Sequence, residues 1–391
     1  MKPFGALTQT CRAAARSLVR ELAAWKPSPQ RAAFGAEAVL SVVLAVALAH
    51  ALHLSNTWWA AISGFAVMQT SFSGSVERAT HRILGTLLGA LLATVVGPLI
   101  GDRPWLFIPV MGVIGGVSVY RANGTSMPYA WVLGGITALM VTYEAHTLTS
   151  IEQTASFAAL RVAEVLVGTL SCVLVSGLFY LAVRGYRRVW PAAPAARAAD
   201  AAGSGTPSAA AAAPPLQSLY TARMLLGLQG ALTIIVIAAL TYALKLPGFS
   251  QALVTTVAVL LVPATSLVAH DSRPVVVKMV QRLAGCLLAG ALSVVLLPLM
   301  NGNAVLCLLA LSLGIWVGCH VQTGTEGASY IGRQFVIAFI MVFVQDHQWT
   351  ADPVPALSRL AGILIGIAVL SGVMLATSNL PFLPSPDEAS P

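Results

Sequence analysis

Long uninterrupted apolar runs dominate this chain. Six lie at about 34–54, 57–72, 83–101, 105–120, 128–143 and 157–183, and six more at about 224–244, 248–266, 283–300, 304–319, 330–345 and 357–379. A barrel strand alternates apolar and polar residues with a period of two, whereas these runs are continuous. A helix needs about 20 mostly apolar residues to cross a bilayer. Several runs are shorter than that, and the fourth and fifth of each set are the least secure as full spans. The predicted fold is all-α and polytopic, with about twelve transmembrane helices. Residues 1–33 form a basic segment ahead of the first set (34–183). Residues 184–222, rich in Ala and Pro without apolar periodicity, read as a linker. The second set occupies 223–379, and 380–391 is a tail.

Composition agrees with the pattern. Only 9% of the 391 residues are charged, 57% are hydrophobic, and the mean hydropathy is +0.81. A soluble domain carries roughly 25% charge, and disorder needs low hydrophobicity with high charge; both are excluded. The sign of the charges sets a topology. Six of the 22 Lys and Arg precede the first span, and twelve more fall in loops or linker on the same side. Arg103 and Lys245 lie opposite, where the loops are mildly acidic, and Arg161 and Arg359 open the sixth helix of each set. By the positive-inside rule both termini are cytoplasmic. The first 30 residues lack the apolar core and cleavage site of a signal peptide.

The two sets also resemble each other. RILGTLLGALLATVVGPL at 82–99 aligns without gaps on RLAGCLLAGALSVVLLPL at 282–299, with eight of 18 positions identical. Leucine matches carry little weight in apolar helices, but Arg, Gly and Pro at fixed spacing carry more. RVAEVLVG at 161–168 echoes RLAGILIG at 359–366, and Tyr129 echoes Tyr330. Six helices per half is an even number, so the expected architecture is two parallel six-helix repeats about an axis normal to the membrane.

The few charges and amides near the helices are the candidate chemistry. Arg82 and Arg282 stand at the mouths of their predicted helices. Each is followed by a small-residue pair, Gly85 with Gly89 and Gly285 with Ala289, that lets helices approach closely. They read either as snorkelling anchors over a packing motif or as a symmetry-related cation pair facing an anion path. Gly362 and Gly366 are further packing candidates. Arg161 and Glu164 share a helical face at i and i+3. They form a structural ion pair, or Glu164 titrates and couples proton entry to transport; the second half keeps Arg359 but has Gly362 in place of the glutamate. Glu37, near the start of the first helix, suits the helix dipole and is the other proton-carrier candidate. Gln69, with Thr70 and Ser71, ends the second helix and either caps it or meets a substrate. Gln334 is an amide inside an apolar helix and needs a partner. Trp58 and Trp59 suit an interfacial belt. The seven histidines are scattered, and the five cysteines form no CxxC. No metal site, cofactor, disulfide framework or nucleic-acid surface is expected. Walker A, GxSxG and HExxH are absent, so neither ATP-driven transport within this chain nor enzymatic hydrolysis is expected.

QTSFSGSVERATHRILGTLLG in the first half, with SYIGRQFVIAF and DPVPALSRLAGILIGI in the second, resembles the fusaric acid resistance protein family of the aromatic acid exporter group. The resemblance covers both membrane halves. It implies an inner-membrane exporter of aromatic carboxylates, working with a periplasmic adaptor and an outer-membrane channel. Many members carry a soluble domain between the halves, where this chain has a short linker. The expected function is proton-coupled export of small organic acids across the bacterial inner membrane. The alternatives are a passive anion channel resembling plant malate channels, or a non-transporting envelope protein. Self-association stays open.

Overall fold

The computed structural model describes residues 3–100, 103–148, 150–189, 216–244, 248–263, 266–267, 272–344 and 354–378. Lys245, Asp102, Asp346, Asp352, most of the linker and the C-terminal tail lie outside them. The described residues form thirteen α-helices and no strand. After α1 (Pro3–Ala24), six helices make the first half: α2 (Pro29–Ala51), α3 (Thr57–Ala66), α4 (Phe72–Ile100), α5 (Pro104–Ala122), α6 (Pro128–Thr147) and α7 (Ile151–Val189). Six make the second: α8 (Leu216–Leu244), α9 (Phe249–Val259), α10 (Arg273–Met300), α11 (Ala304–Gln322), α12 (Ser329–Phe343) and α13 (Val354–Thr377).

Eight of these are long and apolar enough to cross a membrane: α2, α4, α5 and α7 in the first half, α8, α10, α11 and α13 in the second. The short helices are only partly where the sequence placed them: the fifth of each half, α6 and α12, is not among the eight. The fourth helix of each half, α5 and α11, has 19 residues and qualifies. The second of each half, α3 and α9, has only 10 and 11 residues. At 1.5 Å per residue they rise about 15 Å, half of a bilayer core. Both are largely buried among longer helices, where a broken segment is tolerated because its free backbone ends face protein rather than lipid.

Two helices begin well before their apolar runs. α4 starts at Phe72 and α10 at Arg273, so Arg82 and Arg282 lie about 15 Å and about 13 Å along their helices instead of at the mouths. The early turns, SGSVERATHR and PVVVKMVQR, are too polar to register as a span. Likewise α7 and α8 run into the expected linker, to Val189 and from Leu216.

The halves interlock. Within each, the third helix packs on the fifth (α4 on α6, α10 on α12) and the second on the sixth (α3 on α7, α9 on α13). Between them, α5 packs on α8 and α11 on α2, while α6 meets α9 and α12 meets α3. Small residues make the α5–α8 seam: Gly112, Gly115 and Gly116 lie against Ile235, Ile234 and Ala231. The largest apolar clusters are mixed in origin, one joining α2 and α3 to α11 and α12, the other joining α5 and α6 to α8 and α9.

α1 packs on α10 and α11. Glu21 pairs with Arg31 at 2.6 Å and accepts the Glu326 N–H at 3.0 Å. Arg31 also donates to the His320 carbonyl, and Trp25 stacks on His320 with centroids 4.0 Å apart. This latch ties the α1–α2 link to the α11–α12 loop. Burial alone would raise the Glu21 carboxyl, but the Glu326 N–H, Arg31 and His320 outweigh it and hold the group below its ordinary value of 4.5.

Two outcomes follow for stability. A carboxyl with a lowered folded pKa stabilises above its unfolded value, and that contribution is lost as pH falls through the folded value; thermal unfolding of detergent-solubilised protein should show this acid-side loss, and Glu21→Gln should flatten it. A Cβ at Gly85 would stand 2.3 Å from the Ala130 carbonyl oxygen, whereas Gly290 has open space. Gly85→Ala should therefore cost about 1–3 kcal/mol and Gly290→Ala less than about 0.5 kcal/mol, read as melting temperature.

Candidate functional site

The repeated arginines are buried inside the protein. Arg82 is 3% exposed and Arg282 5%, so neither is a snorkelling anchor. Arg82 donates from Nε and Nη2 to Ser63 Oγ at 3.2 and 2.9 Å, and from Nη1 to the Tyr129 hydroxyl at 2.9 Å. Arg282 donates from Nε to Thr255 Oγ1 at 3.0 Å and from Nη1 to Gln334 Oε1 at 2.6 Å. Each guanidinium thus bridges the short second helix of its half and the fifth helix. No carboxylate pairs with either among the described residues.

Arg282 opens onto a cavity of about 290 Å³ between α9, α10, α12 and α13. Gln251, Gln334, Arg359 and Cys286 share its wall with Met341 and other apolar side chains. Gln251 is 7% exposed, and its side chain makes no hydrogen bond among the described residues. Its amide therefore offers its donors and acceptor to whatever fills the cavity. Arg359 donates to the Met341 carbonyl and lies 4.9 Å from the Trp58 ring centre.

The corresponding arginine of the first half is held differently. Arg161 pairs with Glu164 at 2.9 Å and lies 3.6 Å over the Trp59 ring. Glu164 is fully buried and its other oxygen accepts the Asn56 N–H at 3.2 Å, at the start of α3. It is at once an ion-pair partner and a helix cap. In the second half α13 comes close to the start of α9: a Cβ at Gly362 would sit 2.1 Å from the Gly248 carbonyl oxygen. Gly362 stands where a glutamate would not fit. Trp58 and Trp59, 4.1 Å apart, each cover one arginine, Arg359 and Arg161.

The remaining candidates are dispersed. Glu37 is half-buried on α2 and accepts from Ser176 on α7, with no cation paired to it among the described residues. Gln69 lies past the end of α3, in the turn before α4, with its amide on the Met68 carbonyl at 2.6 Å; it does not join the arginines. Ser71 Oγ accepts the Gly74 N–H. Gly85 and Gly285 lie against the Ala130 and Ile331 carbonyls, Gly89 against that of Gly134, and Gly366 against that of Ala252. Ser63, Thr255 and Gln251 escaped the sequence reading. Each is an uncharged polar residue in a largely apolar stretch, and its role depends on which arginine folding brings to it. All five cysteines are free, and no group of metal-ligating side chains forms among the described residues.

A helical bundle with eight segments long and apolar enough to cross a membrane is that of a multi-pass membrane protein. Residues 31–192 match the model of the fusaric acid resistance protein family, so the resemblance read from the sequence holds over the first half. The chain also resembles, over 133 residues, curated proteins named "Uncharacterized transporter YdhK". The Salmonella typhimurium protein is 32% identical over 133 residues, and the Escherichia coli K12 protein 31% over the same length. Each alignment spans 34% of this chain and 20% of the relative, so the match reaches only about a fifth of those proteins. No solved structure matches.

Breaking a buried ion pair leaves an uncompensated charge and costs about 3–5 kcal/mol. Glu164→Gln should lower the melting temperature accordingly, and adding Arg161→Gln should restore part of the loss.

Proposed function

We propose that this chain carries small organic anions, aromatic carboxylates foremost, out of the cytoplasm across the bacterial inner membrane. The observation that supports this most directly is the Arg282 cavity. A guanidinium with no carboxylate partner among the described residues, beside Gln334 and Gln251, suits a carboxylate. Arg–carboxylate hydrogen bonds are among the strongest available to a protein. The apolar remainder of the wall suits a ring or short hydrocarbon body. At about 290 Å³ the cavity suits one small molecule, not a peptide or a lipid.

Export against a gradient needs an energy source. Glu37 is the better proton carrier on physical grounds: its partner is a hydroxyl, whereas Glu164 is committed to Arg161 and the start of α3. A carboxylate inside a membrane helix without a paired cation gains little from staying charged. The two halves then act as parallel repeats, with the basic face of the bundle in the cytoplasm. A periplasmic adaptor and an outer-membrane channel would complete the export route.

Proteoliposomes test this reading. Wild-type protein should take up labelled benzoate when an imposed proton gradient favours it. Arg282→Gln should lose about ten-fold or more at equal reconstituted amounts. Glu37→Gln should abolish uphill uptake while leaving exchange of benzoate for benzoate. Flux that follows only the benzoate gradient in the wild type would instead describe a passive channel.

A further inference from the structure

The two halves can be aligned residue by residue around their arginines. A shift of 192 carries Ala60, whose carbonyl lies against Gly168, to Ala252, whose carbonyl lies against Gly366. The same shift carries Ser63, which accepts from Arg82 Nε, to Thr255, which accepts from Arg282 Nε. A shift of 201 carries Tyr129 to Tyr330, and Ala130, whose carbonyl lies against Gly85, to Ile331, whose carbonyl lies against Gly285. Two independent contacts thus set the first register, and one contact with a matched tyrosine sets the second.

Those registers identify what differs between the halves. Gln251 corresponds to Trp59 and Gln334 to Leu133. In the first half Trp59 lies flat over Arg161 and Leu133 packs into apolar core. In the second half both positions carry amides, and both amides line the cavity. The surroundings of the central arginine change with them. All three nitrogens of Arg82 donate to Ser63 or Tyr129; Arg282 keeps the matching partners Thr255 and Tyr330 but also gives Nη1 to Gln334 and faces the cavity.

We infer that the ligand site has been made in the second half alone, by Gln251 and Gln334 standing where the first half has Trp59 and Leu133. This rests on the organic-anion reading above and narrows it to one small monocarboxylate per chain. Arg282 supplies the charge. Gln334 orients that guanidinium through its oxygen and offers its NH2 to the ligand, and Gln251 supplies a further amide from the facing short helix. Arg82, in the same place in the other half, is a structural tie between α3 and α6.

Cys286, one turn after Arg282 on the cavity wall, is a built-in reporter, and exposed Cys11 an internal control. The experiment uses the full chain in lipid nanodiscs, with benzoate as the probe and alkylation by N-ethylmaleimide read by mass spectrometry. Benzoate should slow labelling of Cys286 and leave Cys11 unchanged. Giving the second half the first-half residues, Gln251→Trp with Gln334→Leu, should abolish that protection. Gln334→Glu, which adds no bulk but sets a carboxylate against Arg282, should also abolish it, and covers the case in which the bulky pair fails to fold. Leu133→Gln, in the first half, should keep it. Each of the two second-half changes should weaken protection by about ten-fold or more in benzoate concentration. Absence of protection in the wild type, or its persistence in the folded Gln251→Trp/Gln334→Leu or Gln334→Glu protein, would overturn the inference. Benzoate flux in proteoliposomes separates the two ideas. Protection as expected without any flux overturns the transport reading and leaves the site, whereas undiminished flux in Gln334→Glu overturns the site and leaves transport.

Discussion

The organising constraint is the satisfaction of a guanidinium inside a helical membrane bundle. Arginine cannot shed its proton and offers five donors in a fixed plane. Buried at 3% and 5% exposure, Arg82 and Arg282 must find acceptors from protein. Ser63 and Tyr129 supply them in one half, Thr255 and Gln334 in the other. Those acceptors sit on the second and fifth helices, which fall short of the length or hydropathy of a full span. Such segments can be placed around an interior arginine because they need not satisfy the lipid along their whole length. The positions of α3, α6, α9 and α12 all follow from this requirement.

A neutral cage and an ion pair solve different problems. Arg161 is matched by Glu164, so that unit carries no net charge and closes the start of α3. The Arg82 and Arg282 cages provide hydrogen bonds without neutralisation, and each leaves a positive charge in a medium of low dielectric constant. Such a charge attracts an anion strongly if one can reach it. Access then separates a structural arginine from a binding one, and access is set by the side chains beside it.

Much of this fold can be read from the chain. The helix order within each half follows the apolar runs, and the Arg161–Glu164 pair follows from i, i+3 spacing. The starts of α4 and α10 do not, because SGSVERATHR is helical without being apolar, and hydropathy registers only the latter. That error placed Arg82 and Arg282 at helix mouths. The short α3 was hidden for the opposite reason: the apolar residues Val67 and Met68 continue its run beyond Ala66, where the helix stops. Gln334 stood out because it adjoins Arg333 in a conspicuous motif. Gln251 did not, since nothing within SQALVTTV says which helix it will face. The meaning of Gly362 emerged only when α13 was seen against the Gly248 carbonyl.

The exchange of partners between halves bears on how the chain is made. α2 and α5 are synthesised early, yet the helices that cover them, α11 and α8, belong to the second half. Until α8 arrives, the groove at Gly112, Gly115 and Gly116 has no protein neighbour to fill it and must be lined by lipid or by the insertion machinery. The linker is therefore also a timing element in biogenesis: its length determines how soon α8 can reach α5 after the first six helices have entered the membrane. A gene split at the linker would make two products, each inserted with an open seam and each dependent on finding the other in the plane of the bilayer.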